Sequence, residues 1–176
     1  FKYSITKYFI NWSIPTRERT KINAPITDIS YSKFYFLLKK PFLGGASSTS
    51  SDILGSVERC WIHDNEFYCP SISSPAESDK SEGDGSVDFK RGQYFTCSYN
   101  YFEGCHKTNL VGSSDSSLQF NLTYHHNYWK NCGARGPLAR NANIHMYNNI
   151  FEGQTDYAMN PRATAYIFSE YNVFEN

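Results

Sequence analysis

Five side chains have the types and spacing to act together on an acidic substrate. The segment "DGSVD" supplies Asp84 and Asp88, "GCHKTNLVGSSDSS" supplies Lys107, and "RGPLAR" supplies Arg135 and Arg140. Asp84 and Asp88 stand four apart, and Gly85 allows a bend after the first. Two carboxylates that converge across a turn form a hard-oxygen site suited to Ca2+, although the loop pattern of an EF-hand is absent. Alone, "DGxxD" is a weak motif that a solvated acidic loop also fits, and a single Lys or Arg is usually a surface charge. Arg135 and Arg140 are five apart, with Gly136 and Pro137 between them. That is one residue too many for neighbours on a helix, and an odd separation along an extended chain sends side chains to opposite faces. Pro137 excludes a regular helix and cannot donate to a sheet ladder. A bend at Gly136–Pro137 would instead let both guanidinium groups enter one groove.

The elements that must position these residues announce themselves as repeats. "HDNEF", "SYNYF", "HHNYW", "YNNIF" and "EYNVF" each place an Asn two residues before Phe or Trp. The Asn positions are 65, 100, 127, 149 and 172, at intervals of 35, 27, 22 and 23. A drifting period of roughly two dozen residues marks a solenoid. The flanking runs "YFTCSYNYF", "FNLTYHHNYW", "NIHMYNNIF" and "AYIFSEYNVF" are rich in β-branched and aromatic residues, and several alternate, as strands do. No segment makes a convincing long helix. The expected fold is therefore all-β, a right-handed parallel β-helix. Its recurring Asn would form a hydrogen-bonded ladder at a turn, and its recurring aromatic a stack in the core. The gaps from Asp88 to Lys107 and from Lys107 to Arg135, 19 and 28 residues, are near one coil each. Stacking would bring the acids, the lysine and the arginines to one side. The longest interval contains "CPSISSPAESDKSEGDGS", residues 69–86, which reads as an inserted loop.

Composition narrows the function further. Charged residues make up 19% and aromatics 17%, which suits an ordered, sheet-rich body rather than disorder. The net charge of zero hides a split: residues 1–41 carry eight Lys/Arg and two Asp/Glu, and residues 42–176 carry nine Lys/Arg and fifteen Asp/Glu. The body is thus acidic, a poor partner for nucleic acid or an anionic membrane. A polyanionic ligand would need a cation or a local basic cluster to bind it. No apolar run reaches the roughly 18 residues that would suggest a membrane span. The five cysteines, at 60, 69, 97, 105 and 132, form no CxxC pair, so a zinc site is not expected. Most are expected to be small buried hydrophobes, with a Cys60–Cys69 bridge as one option.

The runs "DGSVDFKRGQYFTCSYNYFEGCHKTNLVGSSDSS" and "LTYHHNYWKNCGARGPLARNANIHMYNN" resemble the pectate lyases of polysaccharide lyase family 1, and the likeness extends over residues 52–176. "RGPLAR" matches that family's RxPxxR, and the acidic pair and the lysine fall in family order. The resemblance implies that Arg135 is the catalytic base, that Lys107 and Arg140 hold substrate carboxylates, and that Asp84 and Asp88 ligate Ca2+. It implies β-elimination in α-1,4-polygalacturonate by a secreted monomer, and an alkaline working range, since a guanidinium yields its proton only far above neutrality. Asp52 is a candidate third calcium acid.

Two departures from the family stand out. "WIHD" occurs where the family often has "WIDH", so the acid is displaced by one residue, and no role is carried onto His63 or Asp64. Residues 1–41 do not match the family's N-terminal coils. They are expected to be irregular or a crude cap before a β-helix at 42–176. The sequence then reads as the site-bearing part of a lyase, with a first segment derived from a truncated or frame-shifted gene. The alternative is a non-catalytic, pectin-binding β-helix protein. A galacturonan hydrolase would need clustered aspartates on successive coils, and a lyase for methylated polymer would not need the calcium acids.

Overall fold

The structure is a computed structural model. It describes residues 57–69, 85–90 and 92–176, together with strand backbone at 27–30, 33–35 and 42–44. These residues form successive coils. The first is β1 (Thr27–Ser30), β2 (Lys33–Tyr35) and β3 (Phe42–Gly44). The second is β4 (Val57–His63), β5 (Glu66–Tyr68) and β6 (Val87–Phe89), and the third β7 (Gly92–Ser98), β8 (Tyr101–Glu103) and β9 (Asn109–Val111). The fourth is β10 (Gln119–His125), β11 (Tyr128–Lys130) and β12 (Leu138–Arg140), and the fifth β13 (Ala142–Tyr147), β14 (Ile150–Glu152) and β15 (Asn160–Arg162). A last partial coil holds β16 (Tyr166–Glu170) and β17 (Val173–Glu175).

Each strand pairs in parallel with its equivalent in the next coil. The result is three sheets: β1-β4-β7-β10-β13-β16, β2-β5-β8-β11-β14-β17 and β3-β6-β9-β12-β15. This is the all-β parallel β-helix expected from the repeats, and no helix occurs among the described residues. The sheets reach back to Thr27: β1 and β2 are in register with β4 and β5, Phe34 opposite Phe67. Residues 1–26, residues 70–84 of the expected loop at 69–86, and the candidate acids Asp52 and Asp84 lie outside the described residues.

The five recurring asparagines build the predicted ladder between the first and second sheets. The Nδ2 of Asn65, Asn100, Asn127 and Asn149 each donates to the Oδ1 of the next Asn in the series, at 3.1, 3.1, 3.1 and 2.9 Å. The backbone N–H of each donates to the same oxygen. Asn127 and Asn149 spend their second Nδ2 proton on Cys97 O and Tyr124 O in the coil before. The residue ahead of each ladder position, Asp64, Tyr99, His126, Asn148 and Tyr171, has φ of 53–54°. Only Asn and Asp are at ease there, so the ladder holds three aromatic residues in a left-handed turn. Two residues further on, Phe67, Phe102, Trp129, Phe151 and Phe174 form an inner stack with centroids 4.6–5.1 Å apart and planes within 15° of parallel. The first sheet adds the buried columns Phe95–Leu122–Ile144 and Cys97–Tyr124–Met146. Trp129 Nε1 donates to the buried Asn109 Oδ1 at 2.8 Å, which ties this core to the third sheet.

The cysteines correct one expectation. Cys69 bridges Cys105, not Cys60. Cys60 faces the core from β4, while Cys69 follows β5 and lies beside the equivalent turn of the next coil, with its N–H on Glu103 O at 2.9 Å. The Cα atoms of 69 and 105 are consequently 4.8 Å apart, within bridging range. Cys60, Cys97 and Cys132 stand outside the bridge and are buried. Burial pushes the Cys97 thiol up strongly and the Cys132 thiol to about 11.

Two outcomes follow. Asn127→Ala removes one rung and strands Asn100 N–H and Cys97 O in the interior. With about 1–3 kcal/mol for each orphaned group, urea denaturation should show a loss of roughly 3 kcal/mol or more. Native protein at mildly alkaline pH should give almost no thiol with a disulfide-exchange reagent, because the reactive thiolate is suppressed. Unfolded without reductant, it should give three thiols, those of the cysteines outside the bridge.

Candidate active site

The third sheet and the turn leading into it gather the candidate residues. Val87 and Phe89 point into the core, and Asp88 between them takes the outer face of β6, yet only 3% of it is exposed. Its Oδ1 accepts the Leu110 N–H at 2.9 Å. One coil on, Lys107 forms a parallel bridge with Ala134, and only 8% of it is exposed. The turn backbones hold one another directly: Ser86 N–H on Thr108 O at 2.7 Å, Thr108 N–H on Ala134 O at 2.9 Å, and Asn109 N–H on Arg135 O at 2.6 Å. Asp88 is in register with Leu110, and Leu110 with Leu138. Asp88, Lys107 and the two arginines therefore belong to three consecutive coils on one side of the solenoid, a span of about 10 Å at the usual strand spacing.

The five-residue interval between the arginines is not a strand, so strict alternation of faces does not apply across it. Arg135 has φ of 62°, a left-handed conformation that costs a residue with a side chain on the order of 1 kcal/mol. Gly136 follows, with its N–H on Ala158 O at 2.6 Å. A Cβ at position 136 would lie 2.9 Å from Phe151 Cε1 and 3.0 Å from Ala158 O, so this close approach of backbone to the aromatic stack requires glycine. β12 starts only at Leu138 and delivers Arg140 at its end, half-buried, with Nη1 3.3 Å from Asp115 Oδ1.

Two charged neighbours escaped the sequence reading. Arg162 is in register with Arg140, and the 22 residues between them are one coil, so the repeat period could have found it. Asp115 sits in the Ser-rich loop after β9, where no periodicity points to it. His63 and Asp64 form a 2.6 Å pair at the ladder turn, away from the third sheet. Among the described residues, no group of three or more His, Cys, Asp or Glu side chains is placed to hold a metal.

The comparisons with known proteins agree on one family, since the pectate lyase family matches residues 43–176. The chain belongs to the pectate lyase family. Pectate lyase B of Dickeya chrysanthemi is 35% identical over 136 residues, 76% of this chain and 36% of that protein. Pectate lyase 2 of Pectobacterium carotovorum is 34% identical over 135 residues, again 36% of its length. Among solved structures, a pectate lyase from Bacillus sp. N165 in complex with trigalacturonate matches with a TM-score of 0.61 and 43% identity. The match covers 68% of this chain and 37% of that one. A mutant of pectate lyase C in complex with pentagalacturonic acid matches with a TM-score of 0.55 and 33% identity, covering 64% of this chain and 33% of that one. The chain thus spans little more than a third of the length of these pectate lyases, and the part it spans contains the third-sheet cluster.

Gly136→Ala tests how firmly that cluster is seated. The added methyl meets backbone and a packed ring, so a stability loss of about 1–3 kcal/mol is expected, readable from the urea midpoint.

Proposed function

We propose that the chain carries the site of a calcium-dependent pectate lyase that cleaves α-1,4-polygalacturonate by β-elimination and releases unsaturated oligogalacturonates. The observation that carries the reading is the stacking of Lys107 against the Ala134–Arg135 turn, one coil from the buried Asp88, inside the family-matched segment.

The chemistry required is removal of the C5 proton, α to a carboxylate, with departure of the C4 oxygen and formation of a C4=C5 double bond. Arg135, in its neutral guanidine form, takes the proton. Its backbone is fixed before substrate arrives, through Asn109 N–H on its carbonyl oxygen. Lys107 and Arg140 hold substrate carboxylates, which orients C5 toward the base and balances the negative charge that builds up as the proton leaves. Asp88 fits a hard cation: it is a buried carboxylate with one oxygen anchored on a backbone N–H. It would share Ca2+ with Asp84, and the bound ion would neutralise the substrate carboxylate as its neighbouring carbon gives up a proton. The Cys69–Cys105 disulfide supports an oxidising, extracellular setting, in keeping with a secreted protein.

The test is an ultraviolet assay for unsaturated products on polygalacturonate. Turnover should need calcium, vanish with chelator, rise into the alkaline range, and fall at least about 100-fold in Arg135→Lys. Full activity in that variant would remove Arg135 as the base. Calcium-dependent binding of polygalacturonate by folded wild-type protein with no new absorbance would point instead to the non-catalytic pectin-binding protein.

A further inference from the structure

Arg140 is already engaged before any ligand arrives. Asp115 Oδ1 lies 3.3 Å from its Nη1. Asp115 is held out by a closed turn: Ser117 Oγ donates to Ser114 O at 2.8 Å, Ser114 N–H donates to Ser117 Oγ at 3.2 Å, and Ser113 N–H donates to Lys90 O at 3.1 Å. Gly112 opens this loop with φ of 89°, and a Cβ there would come within 2.5 Å of Arg140 O. The loop of one coil is therefore pressed onto the arginine of the next.

Two roles are open to such an aspartate, and they have opposite signs. It could orient the guanidinium and strengthen its grip on a ligand, or it could compete with the ligand for it. The packing decides between them. Arg140 Nε is buried and has no acceptor, so the inner end of the guanidinium is already enclosed by its surroundings. The Asp115 side chain is 71% exposed, and an ion pair so open contributes little to holding a geometry. What it does contribute is a negative charge beside the position an anionic ligand must occupy, and partial neutralisation of the cation that attracts it.

We propose that Asp115 is a built-in competitor for Arg140, setting an upper limit on the affinity for galacturonate carboxylates. This rests on the reading that Arg140 holds such a carboxylate. A weaker grip on the carboxylate that Arg140 holds also weakens the grip on the cleaved product, so the cost in binding favours release and turnover.

The experiment titrates trigalacturonate into the full chain with calcium present, by calorimetry, at low and at high ionic strength. Asp115→Asn should bind about three- to fivefold more tightly at low salt, the range that an exposed pair allows. That gain should shrink toward none at high salt as the charges are screened. Asp115→Ser should behave alike, and fully methyl-esterified trigalacturonate should show no gain. Equal or weaker binding by both variants at low salt, or a gain that persists with the ester, overturns the proposal. Arg140→Ala separates the two layers. If it leaves affinity unchanged, the assignment of Arg140 itself is wrong and the competitor goes with it. If it weakens binding while the Asp115 variants do not tighten it, only the competitor role is lost.

Discussion

The fold depends on one repeated demand: each ladder amide must find its donor and acceptor in the adjacent coil. A buried amide with an open donor or acceptor costs about 1–3 kcal/mol, and Asn127 meets this demand through Asn100, Asn149 and the Cys97 carbonyl. The ladder therefore sets the register of all three sheets from a single turn. It also leaves the rest of each coil free in length, because nothing in the hydrogen bonding of the rungs depends on how the chain returns. Intervals of 35, 27, 22 and 23 residues between rungs are accommodated this way. The longest interval carries the acidic segment and its calcium candidates. A rigid, self-satisfied turn at one corner is what permits variable loops beside the third sheet.

At the third sheet the same scaffold holds one conformation that the local sequence would not choose and one close approach that only glycine allows. Arg135 is left-handed at φ 62°, against its own propensity, and Gly136 lies against the aromatic ring of Phe151. Both are held by neighbours, through the Asn109 and Ala158 backbone contacts and the Phe stack beneath. Asn109 also accepts from Trp129, so the segment that presents Lys107 is anchored to the core residue that follows a ladder rung. The ladder, the stack and the site are thus mechanically one unit.

What was legible in the sequence follows from this. The ladder and stack could be read because each occupies one fixed place per coil, and a place repeated five times survives irregular intervals. The gathering of Lys107 and Arg135 could be read because the gap between them is near one coil. The disulfide could not be chosen from the sequence, and the Cys60–Cys69 option is not the pair that forms. Counted from the rungs, Cys69 is four residues after Asn65 and Cys105 is five after Asn100, so they occupy nearly equivalent places on adjacent coils. Strands β1 and β2 were hidden because Ser32, not Asn, stands two residues before Phe34, and without the rung residue the period is silent. Asp115 had no periodic equivalent, and its contact with Arg140 arises from loop shape, which spacing does not encode.

The charge pattern bears on the proposed partner. Parallel pairing sets Arg140 directly opposite Arg162, and like charges at that spacing oppose folding. Lys107 lies on the same side one coil before Arg140, and Arg135 in the turn that leads into the strand of Arg140. The body from residue 42 onward nevertheless has fifteen acidic against nine basic residues, so its net charge gives a polyanion no general attraction. On the proposed reading, the cations gathered at the third sheet and the turn before it, Lys107, Arg135, Arg140 and Arg162, are where an acidic polymer would be held. On the same reading, calcium at Asp88 would serve this end from the other sign, by making a carboxylate of the protein attractive to a carboxylate of the polymer. On this view the site discriminates less by shape than by the narrowness of its positive strip. Asp115, placed against Arg140 at its edge, makes that strip narrower still.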